Sequence, residues 1–215
     1  MLYTETVAPK TLELLTQLMN DSTFDHFVLV GDTSLSLQLG HRISVDLELF
    51  SVETFKENSI VEYLRSNYQF ELDFLDIETV KGEIEGVKID CIAHKYPWLS
   101  SPVEINGIRL AGFKDIAALK LNAIVGNGTR IKDFIDIAYL SGRMTLTEML
   151  NAFQMKYSSN PILVLKAISY FEDVNVKEPI KMLKPENFDW KKIKKQLELM
   201  LKFPDKIFES LITNH

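Results

Sequence analysis

Apolar residues change their spacing along this chain. Up to about residue 110, short alternating or continuous apolar runs are interleaved with a few helical stripes. Beyond Gly112 the apolar positions recur at three- and four-residue intervals. Residues 9–20 predict an amphipathic helix with Leu12, Leu15, Leu18 and Met19 on one stripe. His26 to Val30 predicts a short strand ended by Gly31. Thr33 to Leu39 predicts a short helix closed by Gly40 just past its end. Ser44 to Phe50 reads as a strand, and 53–66 as a second amphipathic helix capped near Ser51 or Glu53. Strands follow over 68–76 and 78–94, with a hairpin at Glu85-Gly86. Another hairpin spans Val103 to Leu110, turned by Asn106-Gly107. Helices are then expected at 113–126 and 130–141, separated by Gly126-Asn127-Gly128, and at 144–157, 161–172 and 190–201. A last short helix is expected near 204–212, and 173–189, with Pro179 and Pro185, reads as a connector.

Mixed α and β followed by helix alone implies an α+β fold class, a mixed sheet flanked by helices and then a C-terminal helical bundle. The implied domains are 1–112 and 113–215. The composition, 46% hydrophobic and 25% charged over 215 residues, is that of an ordinary globular protein able to bury a core. The single cysteine, Cys91, excludes an intramolecular disulfide and fits a cytoplasmic setting. No basic and then apolar leader is visible, and no apolar run approaches the roughly 18 residues that suggest a membrane span. Net charge is −6 but uneven. Residues 1–110 carry 8 Lys and Arg against 18 Asp and Glu, and residues 111–215 carry 16 against 12. Either the acidic part gathers metal ligands beside a basic part that meets a polyanion, or these are two solvated surfaces of different composition.

The chemistry-bearing residues cluster between Phe27 and Phe50. Gly31 allows a sharp turn and close backbone approach, and the following helix would present free N–H groups and a positive dipole end, with Thr33 and Ser34 adding hydroxyls. The ordinary alternative is a strand-to-helix turn capped by Asp32 or Thr33. Asp46 and Glu48, two apart on a strand, point to one face, as paired carboxylates do when they hold Mg²⁺ against a triphosphate. Arg42 and Ser44 lie between, and Arg42 could pair with phosphate bidentately. Asp90 sits on a strand opposite the inward Val87, Ile89 and Cys91, where it could complete a metal site or act as a base. The alternative is an exposed strand aspartate. Lys120 falls on an apolar helical stripe, where it either snorkels outward, the placement periodicity favours, or points into a site. Arg130, Lys132, Asp133 and Asp136 read as a solvated helix face supported by a Lys132–Asp136 pair. His26, His41, His94 and His215 show no metal-ligand spacing. The helix at 190–201 places Trp190, Ile193, Leu197 and Met200 on one stripe and Lys191, Lys192, Lys194 and Lys195 elsewhere, as a solvated or phosphate-contacting surface.

The glycine turn followed about a dozen residues later by an Asp-x-Glu strand resembles the nucleotidyltransferase superfamily with the polymerase-β-like fold. The string VGDTSLSLQLGHRISVDLELF, with DIAALKLNAI and RIKDFIDIAYL downstream, is similar to the AbiEii/AbiGii toxin branch over about residues 25–141. The resemblance implies that Asp46, Glu48 and Asp90 hold Mg²⁺ and that Gly31, Asp32, Thr33, Ser34, Arg42 and Ser44 line the nucleotide. It implies roles for Lys120, Asp133 and Asp136 in nucleotide positioning or proton transfer. The implied reaction is transfer of a nucleoside monophosphate from an NTP to a hydroxyl, with RNA or tRNA as acceptor. The implied setting is a toxin–antitoxin pair in phage defence, with an antitoxin protein as partner. The chain departs from the family pattern at Glu48, usually aspartate, and at Asp32, where the family has Gly or Ser. A carboxylate about 4 Å from a phosphate costs about 4 kcal/mol at an effective dielectric near 20. Asp32 therefore motivates the alternative of a catalytically impaired binding or regulatory module.

Overall fold

The computed structural model describes residues 1–184 and 188–208. These form two compact units. One comprises Met1–Gly40 and Ser44–Ala111; the other comprises His41–Ile43 and the described residues from Gly112 onward.

The first unit is built on a seven-stranded mixed sheet. Its strands are β1 (Val28–Leu29), β2 (Leu47–Ser51), β3 (Glu71–Asp76), β4 (Thr79–Ile84), β5 (Val87–Ala93), β6 (Val103–Ile105) and β7 (Ile108–Leu110). The order across the sheet is β3-β4-β5-β2-β1-β7-β6. β2 runs parallel to β5 and β1 parallel to β7; the remaining neighbours are antiparallel. Both predicted hairpins are present. Glu85-Gly86 and Asn106-Gly107 each place two successive residues at positive φ, the two-residue turn whose twist matches that of the flanking strands.

Strand alternation sorts the sheet into two faces. Leu47 and Leu49 of β2, Val80 and Ile84 of β4, and Val87, Ile89 and Cys91 of β5 are buried. They form one core with Leu14, Leu15, Leu18 and Met19 of α1 (Pro9–Met19) and with Ile60, Val61 and Leu64 of α3 (Glu57–Tyr68). Burial pushes the Cys91 thiol up to about 12, so Cys91 behaves as a small core hydrophobe. The opposite face carries Glu48, Phe50, Lys81, Lys88, Asp90 and Ile92 at half-buried or exposed positions.

Several boundaries differ from expectation for local reasons. The helix expected from Thr33 starts two residues earlier, as α2 (Gly31–Leu39), with Val30 rather than Asp32 or Thr33 at its N-cap. β2 begins at Leu47 because Ser44 is occupied in a bridge to Val7. α3 starts at Glu57 rather than 53, since Ser51 belongs to β2 and its hydroxyl accepts the Glu53 N–H. Leu12 is only half-buried, and Leu14 takes its place on the α1 stripe.

The second unit is helical: α4 (Phe113–Gly126), α5 (Ile131–Leu140), α6 (Leu146–Tyr157), α7 (Pro161–Ile168) and α8 (Trp190–Lys202). α6 starts on a complete capping box between Thr145 and Glu148. α7 ends at Ile168, four residues short of expectation. α8 buries Ile193, Leu197 and Met200 as its stripe predicted. Residues 204–208 are not helical, and the rest of the helix expected to 212, like His215, lies outside the described residues. His41–Ile43 pairs with the connector before α8. The Ile43 N–H donates to the Lys181 carbonyl at 2.7 Å, and the Leu183 N–H donates to the His41 carbonyl at 3.1 Å.

Candidate functional site

In the first unit, Gly31 is the pivot. Its φ is +64°, in the left-handed region, and a Cβ there would lie 1.6 Å from Glu48 Oε2. Glycine is required both by the backbone and by the close approach of that carboxylate. Glu48 Oε2 accepts the Asp32 N–H at 3.3 Å, so the carboxylate rests on the first turn of α2, where the helix dipole favours negative charge. Asp46 and Glu48 are half-buried on either side of the fully buried Leu47 and share one face. Among the described residues the Asp46 side chain has no hydrogen bond or ion pair.

Asp90 lies directly beside Glu48 in the β2–β5 register, and Lys81 lies beside Asp90 in the β5–β4 register. Lys81 Nζ meets Asp90 Oδ2 at 2.5 Å. A row Glu48–Asp90–Lys81 thus crosses three strands on the open face. Among the described residues, Asp46, Glu48 and Asp90 do not bring one oxygen each to within 4.8 Å of one another. The side-chain chemistry nonetheless suits a hard cation. Asp46 and Glu48 offer carboxylate oxygens on one half-exposed face, and the Asp46 carboxylate is not engaged by a cation.

The other residues at this turn face inward. Thr33 and Ser34 are fully buried, and Asp32 and Ser44 nearly so. Thr33 Oγ1 bonds both Ser44 Oγ, at 2.8 Å, and the Asp46 carbonyl. With one hydroxyl hydrogen, Thr33 donates to the carbonyl while Ser44 donates to Thr33. Ser34 Oγ accepts from Gln38 Nε2 at 3.1 Å. The Thr33 and Ser44 hydroxyls tie α2 to the chain entering β2, and the Ser34 hydroxyl is held within α2.

The second unit holds a different cluster. Asp136 on α5 is fully buried. Its Oδ1 accepts from Arg42 Nε at 2.7 Å and lies 2.8 Å from His41 Nε2; its Oδ2 accepts from Arg42 Nη2 at 2.7 Å. Lys120 on α4 bridges Asp136 Oδ2 at 2.7 Å and Asp133 Oδ1 at 2.8 Å. Burial alone would raise the Asp136 carboxyl, but Arg42 and Lys120 together hold it far below the usual carboxylate range. Burial is also the largest influence on His41. With the charges of Arg42 and Lys120 it outweighs Asp136 and lowers the imidazole, which stays neutral. The ring donates through Nε2, and Nδ1 has no hydrogen-bond partner among the described residues.

Three expectations are corrected here. Lys120 does not snorkel but is 4% exposed between two aspartates. Asp133 and Asp136 are not on a solvated face; of α5, only Lys132 is not buried. His41, which has no metal-ligand spacing in the sequence, is a partner of Asp136. Arg42 directs its guanidinium fork at Asp136. A signal for this existed in the sequence: α5 has too few polar residues for a solvated face. Nothing local pointed to partners 94 and 95 positions away.

No protein-family model matches the chain. The chain is 29% identical over 198 residues to the uncharacterized protein aq_aa25 of Aquifex aeolicus (strain VF5), covering 86% of this chain and 95% of that one. Its structure is similar to a crystal structure from H. pylori named "putative nucleotidyltransferase", with a TM-score of 0.58, 20% identity, and coverage of 95% of this chain and 98% of the other. It is also similar to JHP933 from Helicobacter pylori, with a TM-score of 0.56, 19% identity and 93% of each chain covered. The chain has the fold of these proteins, a mixed sheet flanked by helices and followed by further helices, as the sequence predicted. No helix among the described residues is long and apolar enough to cross a membrane.

Proposed function

We propose that the chain is a nucleotidyltransferase that moves a nucleoside monophosphate from an NTP to a hydroxyl of RNA. The observation that carries the reading is the half-buried Asp46–Glu48 pair, whose Glu48 carboxylate lies against Gly31 at the start of α2, on a fold shared with a protein named for this activity. Asp46 and Glu48 would hold Mg²⁺, which when bound neutralises triphosphate charge and polarises the reacting phosphate. The first turn of α2 supplies backbone N–H groups and dipole to the phosphates. The acceptor oxygen forms a bond to the α-phosphorus, the α–β phosphate bond breaks, and pyrophosphate leaves. The hydroxyl proton passes to Asp90, whose Oδ2 is held by Lys81. Arg42, Lys120, Asp133 and Asp136 act in this reading as the scaffold of the second unit. An AbiEii-like toxin role and an antitoxin partner follow from the sequence resemblance, and a neighbouring gene for a small DNA-binding protein would support them; a cytoplasmic location follows from the single cysteine.

The test is purified chain with Mg²⁺, RNA and each α-labelled triphosphate in turn. Label transferred to RNA, lost in Asp46→Asn, is expected. No labelling together with no triphosphate binding at millimolar concentration contradicts the reading.

One observation favours a second reading, a binding module that has lost catalysis. The α2 N-terminus already meets the Glu48 carboxylate and carries Asp32, 6% exposed, in its first turn. Asp32→Gly separates the two. A large gain in NTP affinity would indicate an obstructed site, and an unchanged affinity would favour the enzyme.

A further inference from the structure

On the sheet face that carries the carboxylates, β2 continues from Glu48 to Phe50, two residues on and therefore on the same side. Phe50 is the first of three successive rings, the first pair stacked and the second tilted by 44°. Its centroid lies 5.0 Å from that of His94, with the planes 30° apart, and His94 lies 4.8 Å from Tyr96. The His94 N–H donates to the Ser51 carbonyl at 2.7 Å, which fixes this ladder to the end of β2. Phe50 and His94 are half-buried, and Tyr96 is 42% exposed. The hydrophobic core that Leu47, Leu49 and Cys91 join lies on the other face of the sheet.

We infer that the Phe50–His94–Tyr96 ladder is a stacking platform for a base of the acceptor strand, a single-stranded nucleic-acid end bearing the attacking hydroxyl. The inference rests on the proposed reaction and deepens it. Along β2 the Glu48 carboxylate meets the start of α2 on one side, and the ladder begins on the other. In an in-line displacement the attacking and leaving oxygens lie on opposite sides of the phosphorus. With pyrophosphate toward α2, the hydroxyl arrives from the side of the ladder. Partly exposed rings suit that approach, because every base has a π-face and stacking tolerates any sequence. Asp90, in register beside Glu48, and Ile92, in register beside Phe50, extend the same open face between the carboxylates and the rings.

Fluorescence anisotropy with a labelled single-stranded RNA oligonucleotide tests this, with calorimetric titration of Mg²⁺–ATP as an independent arm. Tyr96→Ala should weaken RNA binding about 5- to 10-fold or more, within the range for loss of one stacked base. Tyr96→Trp should restore it, and both variants should bind Mg²⁺–ATP as the unaltered chain does. RNA affinity unchanged within about twofold in Tyr96→Ala, or no RNA binding by the unaltered chain, overturns the platform while ATP binding leaves the nucleotidyltransferase reading standing. Absence of binding by ATP, GTP, CTP and UTP alike overturns that reading instead. Weakening in both Tyr96→Ala and Tyr96→Trp would mark a structural role and equally overturn the platform.

Discussion

The two sets of carboxylates in this chain look alike as sequence and differ as chemistry. Asp46-x-Glu48 and Asp133-x-x-Asp136 are both acidic pairs set among apolar residues. In the first unit the pair is half-exposed, Asp46 has no cationic partner among the described residues, and Glu48 leans on backbone N–H. In the second unit Asp136 is sealed from water and held by Arg42, Lys120 and His41. A carboxylate surrounded by protein cations has its charge answered internally and contributes to the fold. One left without a cation retains lone pairs for a metal.

That contrast breaks first at Asp136. Asp136→Ala strips buried Arg42 of its bidentate carboxylate and buried Lys120 of one of its two, and should cost about 3–5 kcal/mol, read by urea unfolding of the full chain. A loss below about 1 kcal/mol would remove the scaffold assignment. Next is Gly31→Ala, which forces a Cβ into the left-handed region and onto the Glu48 carboxylate. Roughly 1–2 kcal/mol from the backbone alone, with loss of NTP binding, is expected. Unchanged nucleotide affinity would show that the Glu48 position does not matter to the site.

A smaller effect appears on the pH axis. Folded His41 stays neutral, whereas the unfolded chain takes up its proton below about pH 6.5, so stability falls as pH drops through that value. Asp136 holds its proton less tightly folded than unfolded, so its contribution is present above about pH 4 and lost with further acid. The His41→Gln variant should flatten the fall in stability just below about pH 6.5, where the slope can reach about 1.4 kcal/mol per pH unit. An identical profile would place the titration elsewhere. The smallest expected stability change, within about 0.5 kcal/mol, is for Asp46→Asn, because no partner among the described residues is lost.

Much of the fold was legible because its signals are local. Asn106-Gly107 and Glu85-Gly86 announced hairpins, Gly40 at φ +68° closed α2, and the stripe Ile193, Leu197 and Met200 located α8. The face shared by Asp46 and Glu48 followed from period two. Illegible were features set by distant chain. Lys120 and Asp136 became partners only when α4, α5 and His41-Arg42 met, and a lysine on an apolar stripe has no local mark that separates a buried ion pair from a snorkelled one. The aromatic ladder has no local mark, because His94 and Tyr96 lie more than forty positions from Phe50 and join it only through the parallel pairing of β2 with β5.

The central claim is that Asp46 and Glu48 together bind a divalent cation. Titration of Mn²⁺ in the presence of ATP, followed by electron paramagnetic resonance, measures it directly. The unaltered chain should capture Mn²⁺–ATP at up to millimolar concentration, and Asp46→Asn and Glu48→Gln, each shown to be folded, should lose that capture at least about tenfold. Equal capture by the unaltered chain and both variants would contradict the claim.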